Sequence, residues 1–181
     1  NIANTIGDIV FNPEGGTYTS PTSVSLSVVP AEATISYSFD NVNWQPYTGL
    51  LDLALGTQTT IYAKAEMAGS ETKYGDDTFT VLQVPEILPL QTEYASGDEI
   101  EINISTPVGN LYYSINGAAP VLGISPVILP EIGTDTTVEA WAENDGVETV
   151  HLVRNYVFNS ALALPVANVV SGTYFEPFTV V

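Results

Sequence analysis

The amino-acid sequence predicts an all-β protein made of β-sandwiches in tandem, and three observations support this. Apolar and polar residues alternate over short stretches, as in SVSLSVV (23–29) and EIEINIS (99–105), which is the pattern of half-buried strands. Turn signals built from 14 Gly and 12 Pro residues separate these stretches at intervals of roughly eight to twelve residues. The same order of segments recurs along the chain, and no stretch shows a helical period.

The repeat has a spacing of 76 residues, measured from Tyr18 to Tyr94, which suits one small sandwich of about seven strands. ISYSFDN (35–41) matches LYYSING (111–117) at the same spacing. The apolar residues of the strand after each tyrosine also align, namely Val24, Leu26 and Val28 with Ile100, Ile102 and Ile104.

A later strand repeats after one inserted residue, as TTIYAKAE (59–66) and TTVEAWAE (136–143). Because side chains alternate along a strand, the same apolar positions are predicted to face each core: Ile61, Ala63 and Ala65, then Val138, Ala140 and Ala142. Trp141 corresponds to Lys64 in this alignment, so we expect its side chain to face outward.

The repeat divides the chain into a first sandwich at 1–85, a second at 86–163 and the opening strands of a third at 164–181. Pro85, Pro89 and Pro165 lie at the junctions. Proline fixes φ and stiffens short linkers, so we expect a semi-rigid rod.

Charge and composition exclude several classes of function. The chain has 21 acidic and 3 basic residues and a formal charge of −18, which argues against binding nucleic acid or an anionic membrane surface. It contains no cysteine, which excludes thiol catalysis and cysteine-based metal sites. No apolar run is long enough to span a membrane. Because the sequence begins at Asn1, we expect a processed chain or a segment of a longer one.

The repeated sequence motifs resemble those of the chitobiase/β-hexosaminidase C-terminal domain. This is an immunoglobulin-like or fibronectin-III-like module with a Tyr-x-x-Asp-Gly-x-x-Pro turn. YSINGAAP (113–120) has Asn116 for Asp, and YSFDNVNWQP (37–46) has Asn41 for Gly. Asn tolerates the left-handed conformation that Gly supplies, so the turn at Asn41 is expected to survive. The resemblance implies tandem immunoglobulin-like sandwiches that act as accessory or spacer modules of secreted and surface proteins, with no active site of their own.

Calcium is the most plausible cofactor for so acidic a chain, because hard cations prefer oxygen ligands in loops. The candidate ligands lie in DNVN (40–43) and GDD (75–77), and they are Asp40, Asn41, Asn43, Asp76 and Asp77. None of these segments matches a known calcium loop, and turn chemistry with solvated acids is the preferred interpretation. The prediction is therefore no cofactor, with calcium as the alternative.

Aromatic residues are the candidates for contact with glycans or protein partners. Trp44 follows a turn and Trp141 lies on a strand, and an exposed tryptophan packs on sugar rings or neighbouring modules. His151, the only histidine, is predicted to be a solvated strand position rather than a catalytic base. Asn103 opens an Asn-Ile-Ser sequon on the polar face of its strand.

The partial third unit cannot bury a core by itself. We expect it to pack on its own chain or to donate a strand to another chain, which would make the protein a filament subunit. The predicted strand-exchange residues are Val169, Val170, Tyr174, Phe175, Phe178 and Val180.

The sequence therefore predicts a non-catalytic extracellular or cell-surface protein, a stalk or filament subunit. Its predicted partners are copies of itself, neighbouring modules or glycans, without nucleic acid or membrane insertion. The alternative is a carbohydrate-binding accessory region of a larger secreted glycoside hydrolase.

Overall fold

The computed structural model describes residues 5–159, and every regular element in this range is a β-strand. The first sandwich contains β1 (Val10–Asn12), β2 (Gly16–Tyr18), β3 (Thr22–Ser27), β4 (Thr34–Ser38), β5 (Gln45–Pro46), β6 (Leu51–Leu53), β7 (Thr57–Glu66) and β8 (Lys73–Val81). The second contains β9 (Glu86–Leu88), β10 (Glu93–Ala95), β11 (Ile100–Ser105), β12 (Asn110–Ile115), β13 (Val121–Gly123), β14 (Val127–Ile132), β15 (Thr136–Asn144), β16 (Val147–Glu148) and β17 (Leu152–Asn159).

The two sandwiches have the same topology. In the first, a sheet of order β1-β3-β6 faces a sheet of order β2-β8-β7-β4-β5. In the second, β9-β11-β14 faces β10-β17-β15-β12-β13, and β16 adds to β15. The first strand of the sandwich is divided between the two sheets. Its first part, β1, pairs antiparallel with β3, and its second part, β2, pairs parallel with β8. This strand order confirms the predicted fold class of tandem immunoglobulin-like β-sandwiches. Within residues 5–159 there is no helix of the length and hydropathy needed to cross a membrane.

Each sandwich buries its own core between its two sheets. The predicted inward positions of β7 and β15 are all at most 1% exposed, which confirms the alternation. The largest core side chains include Phe11, Leu26, Ile61 and Phe79 in the first sandwich and Ile87, Ile102, Leu111 and Tyr156 in the second. Each such side chain contributes about 1.5–3 kcal/mol when fully buried.

Tyr18 and Tyr94 occupy equivalent positions in the two sandwiches, as the repeat predicts. Tyr18 and Tyr94 lie on β2 and β10, where each pairs with the last strand of its sandwich. The Tyr18 hydroxyl donates to the carbonyl of Glu14, and the Tyr94 hydroxyl donates to the carbonyl of Gln91 at 3.0 Å. Each tyrosine therefore fixes the turn that precedes its strand.

The alignment of the next strand is wrong by two residues. Leu26 pairs with Phe11, and Ile104 pairs with Ile87, where Phe11 and Ile87 are the central residues of β1 and β9. Phe11 and Ile87 are 76 residues apart, whereas Leu26 and Ile104 are 78 apart. A shift of two residues leaves every side chain on the same face of the sheet, so alternation cannot detect it.

The turn after β4 forms as the sequence predicts. Asn41 has a φ of 57°, which is the left-handed conformation expected of it, and Asn116 in the turn after β12 has a similar φ of 50°.

The junction between the sandwiches is short and packed. Leu82 directly follows β8, is completely buried, and donates its N–H to the carbonyl of Tyr18 at 2.7 Å. Its Cδ2 atom lies so close to Gly109 that a Cβ added there would be 2.6 Å away. The Asn144 side-chain amide donates to the hydroxyl of Thr17 at 2.7 Å, which joins the second sandwich to the first.

The predicted strand-exchange tail lies outside the described residues. All six of its named positions fall in the range 160–181, namely Val169, Val170, Tyr174, Phe175, Phe178 and Val180.

Candidate functional site

The outer face of the five-stranded sheet in the first sandwich carries a group of aromatic and polar side chains. Because Ile61 and Ala63 of β7 point into the core, Tyr62 and Lys64 point outward. On the neighbouring strand β8, Asp76 lies opposite Tyr62 and Tyr74 lies opposite Lys64. The sheet thus places two tyrosines, a lysine and an aspartate on one surface.

Trp44 closes one side of this surface. It directly precedes β5 at the sheet edge, yet its ring centroid is 6.3 Å from that of Tyr74, with 70° between the two planes. The Lys64 ammonium lies 5.4 Å from the centroid of the Trp44 ring. The outward positions of the intervening strand β4 are the small residues Ser36 and Ser38, which leave room for the indole to lie across the sheet.

These side chains enclose an open cleft of about 340 Å³, which we call the Trp44 cleft. It is lined by Asn41, Trp44, Tyr62, Ala63, Tyr74, Gly75 and Asp76. Tyr74 is 65% exposed, and the cleft therefore has one wide aromatic wall that solvent reaches.

The Asp40 carboxylate organises the turn that carries Asn41. Its oxygens accept hydrogen bonds from the backbone N–H groups of Val42 and Asn43, from the Asn43 amide and from the Ser38 hydroxyl, at 2.6–2.9 Å. These bonds, chiefly those from Asn43, hold the pKa of Asp40 well below its ordinary value. The turn is therefore fixed before any ligand arrives.

The five predicted calcium ligands do not converge on one point. Asp76 and Asp77 are adjacent on β8 and so lie on opposite faces of the strand, and one oxygen of Asp77 accepts the Gly15 N–H at 2.6 Å. Across residues 5–159, no three His, Cys, Asp or Glu side chains are grouped so that they would hold a metal ion. Hydrogen bonds from the protein's own N–H groups thus occupy Asp40 in its turn and Asp77 on β8.

We expect calcium to leave the thermal stability of the protein unchanged. A ligand that binds only the folded state raises the melting midpoint, but a cation at Asp40 would have to displace hydrogen-bond donors already in place. The midpoint, measured by calorimetry in millimolar calcium and in chelator, should agree within about 1 °C. A rise of several degrees that disappears in Asp40→Asn would contradict this expectation.

The equivalent face of the second sandwich is filled by its own side chains. An aromatic stack is formed by Tyr112 of β12, Trp141 of β15 and His151, which directly precedes β17. The Trp141 ring lies 4.0 Å from the His151 ring at 4° and 5.7 Å from the Tyr112 ring at 12°. His151 is held by the carboxylates of Glu139 at 2.9 Å and Glu148 at 3.6 Å.

This stack corrects one prediction and adds to another. Trp141 does lie on the outer face, but it is only 7% exposed because His151 and Tyr112 cover its ring. It therefore presents no free aromatic surface to a sugar. His151 is solvent-accessible as predicted, but it also covers Trp141.

The two faces differ through substitutions at equivalent positions. Lys64 and Tyr74 of the first sandwich correspond to Trp141 and His151 of the second, each pair 77 residues apart. Ser36 corresponds to Tyr112. A large ring in the second sandwich thus stands where the first sandwich has a serine, and this leaves only the first face open.

Tyr62 and Tyr74 are not predictable from the sequence as partners of Trp44. Each is an outward residue on a strand, a signal that many surface tyrosines share. Only the pairing of β7 with β8 and the path of Trp44 across β4 bring them together.

Asn103 lies on β11, between Leu88 of β9 and Ile128 of β14. Its neighbours Ile102 and Ile104 are fully buried, so its side chain is on the outer face, as the sequon requires.

Comparisons with known proteins give no family assignment. No family model matches the sequence, and no curated protein shows significant similarity to it. Similar solved structures include immunoglobulin domains 1–5 of Sidekick-1 (TM-score 0.31, 13% identity, covering 84% of this chain and 39% of that one). Cadherin domains 3–6 of protocadherin gamma B2 match with a TM-score of 0.31 and 14% identity, covering 83% of this chain and 47% of that one. The BSP domain of a biofilm-associated protein matches with a TM-score of 0.27 and 12% identity, covering 90% of this chain and 31% of that one.

This chain spans less than half the length of each of these three structures. The class assignment rests on the strand order itself, which is that of tandem immunoglobulin-like β-sandwiches.

Proposed function

We propose that the chain is a non-catalytic region of an extracellular structural or interaction protein, in which the two sandwiches form a stiff spacer. The observation that carries this proposal is the packed junction, where Leu82 is buried against Gly109 and Asn144 bonds Thr17. Independent domains on flexible linkers lack such contacts and move relative to each other. A spacer instead needs domains that keep a fixed position relative to each other.

The arrangement around His151 supports a non-catalytic role. A general base needs a nucleophile or substrate within hydrogen-bond reach. The ring of His151 instead lies against Trp141, and its two nitrogens face Glu139 and Glu148. The histidine supports the aromatic stack of the second sandwich. Filament assembly through 164–181 remains part of the proposal and depends on residues outside the described range.

Stiffness at the junction is directly measurable, because the chain contains no native cysteine. Spin labels at Leu50→Cys and Ile124→Cys occupy positions that are 64% and 90% exposed, one on each sandwich. We expect double electron–electron resonance to give a single narrow distribution of distances between the two labels. A matched variant with Gly-Ser-Gly-Ser inserted between Gln83 and Val84 should give a broad one. An equally broad distribution in the chain without the insertion would overturn the spacer proposal.

The second candidate function is a carbohydrate-binding accessory region of a larger secreted glycoside hydrolase. The Trp44 cleft favours it, because small-ligand sites are concave and combine aromatic or apolar walls with a few placed polar groups. The first sandwich alone supports this candidate, since the equivalent face of the second is filled.

A further inference from the structure

We propose that the Trp44 cleft binds a sugar ring that carries no negative charge. This inference deepens the second candidate function and is independent of the spacer role, which depends on the junction.

The aromatic walls of the cleft suit the apolar face of a pyranose. Trp44 and Tyr74 stand at 70° to each other with centroids 6.3 Å apart, so a ring lying on one contacts the edge of the other. Aromatic side chains combine a large apolar surface with a polar end, and the 65% exposure of Tyr74 leaves that surface available. Contact between such a face and the C–H groups of a sugar buries apolar area on both.

The polar groups of the cleft have unused hydrogen-bonding capacity. Across the described residues, the Asn41 and Asp76 side chains make no hydrogen bond or ion pair, although both line the cleft. Asn41 offers a donor and an acceptor, and Asp76 offers acceptors. Sugar hydroxyls need both kinds of partner. The Asn41 backbone is already fixed by the Asp40 turn, which lowers the entropy cost of binding.

Charge selects among sugars. The chain carries −18, and Asp76 places a carboxylate in the cleft. The nearby cation Lys64 does not line the cleft, and its charge is partly compensated by Glu66 at 3.1 Å. Like charges repel across a site of this kind. The cleft therefore favours uncharged or amino sugars and disfavours uronates and sulfated sugars.

The second sandwich provides an internal control. Its aromatic stack contains as many rings, but Trp141 is covered on the face that a sugar would need. A ligand held merely by surface aromatic content would lose affinity when Tyr112 is removed, whereas a ligand of the Trp44 cleft would not.

The test uses the full chain on a glycan array that holds uncharged hexose and N-acetylhexosamine oligosaccharides, amino sugars, uronates and sulfated glycans. Hits are then titrated by calorimetry. We expect binding of at least one uncharged or amino glycan, a loss of at least about tenfold in affinity for Trp44→Ala, and unchanged affinity for Tyr112→Ala. Tyr74→Ala, at a mostly exposed position, should weaken binding as well and keeps the test decisive if Trp44→Ala fails to fold.

The outcomes separate the two hypotheses. Binding confined to anionic glycans, or binding that survives both Trp44→Ala and Tyr74→Ala, would overturn this site while leaving an accessory role in carbohydrate binding. Absence of binding across the array would overturn both.

Discussion

Replacing Leu82 with alanine is expected to cost about 2–5 kcal/mol of stability, the range for truncating a fully buried leucine. Leu82 belongs to neither core, yet it has no exposed surface. Its backbone is bonded to Tyr18 in the first sandwich, and its side chain lies over Gly109 in the second. We therefore expect both sandwiches to lose stability and the spin-label distance distribution to broaden.

The two tryptophans allow the sandwiches to be followed separately in urea unfolding. Trp44 reports the first sandwich in a Trp141→Phe background, and Trp141 reports the second in a Trp44→Phe background. Leu82→Ala should lower both midpoints. The matched control is Ile6→Ala, 76 residues earlier, where a side chain that is 6% exposed packs on the first core. Ile6→Ala should lower only the Trp44 midpoint, and the same selective result for Leu82→Ala would contradict a packed junction.

Replacing Gly109 with alanine should destabilise the second sandwich by about 2–5 kcal/mol, from two causes. Gly109 has a φ of 84°, and a left-handed conformation costs an L-residue about 1–2 kcal/mol. The added Cβ would also lie 2.6 Å from Leu82 Cδ2 and 2.9 Å from the Glu143 carbonyl oxygen. Such crowding costs a further 1–3 kcal/mol or so.

Gly117→Ala separates these two causes. Gly117 has a similar φ of 71° but no atom within 4 Å of an added Cβ. It should therefore cost only the conformational term, about 1–2 kcal/mol, in the same urea titration followed by Trp141. If the two variants proved equally stable, close packing at the junction would be refuted.

Much of the fold is predictable from local pattern. Ile61, Ala63 and Ala65 alternate with polar residues, and because side chains of a strand alternate between faces, the buried face follows without tertiary information. The left-handed turn at Asn41 follows from residue chemistry in the same way. Tyr18 and Tyr94 hold equivalent positions in the two sandwiches because each tyrosine fixes a local turn.

Other features depend on contacts between residues distant in sequence. The two-residue shift at Leu26 and Ile104 leaves the alternation intact, so only pairing with β1 and β9 reveals it. The burial of Trp141 depends on Tyr112 of β12 and on His151, which directly precedes β17. Because both partners come from other segments of the chain, no local pattern distinguishes a covered tryptophan from an exposed one.

By itself, the sequence determined that this protein is acidic, all-β and built of repeated sandwiches, because composition, turn chemistry and period-two alternation are local properties of the chain. The tertiary structure alone decided which face remains open and how the repeats are joined. The small Ser36 opposite Lys64 leaves the outer face of the first sandwich open, whereas Tyr112 fills the equivalent position opposite Trp141 in the second. Leu82 joins the two sandwiches because Gly109 leaves room for its side chain. This contact joins residues that are distant in sequence, so no local pattern reveals it.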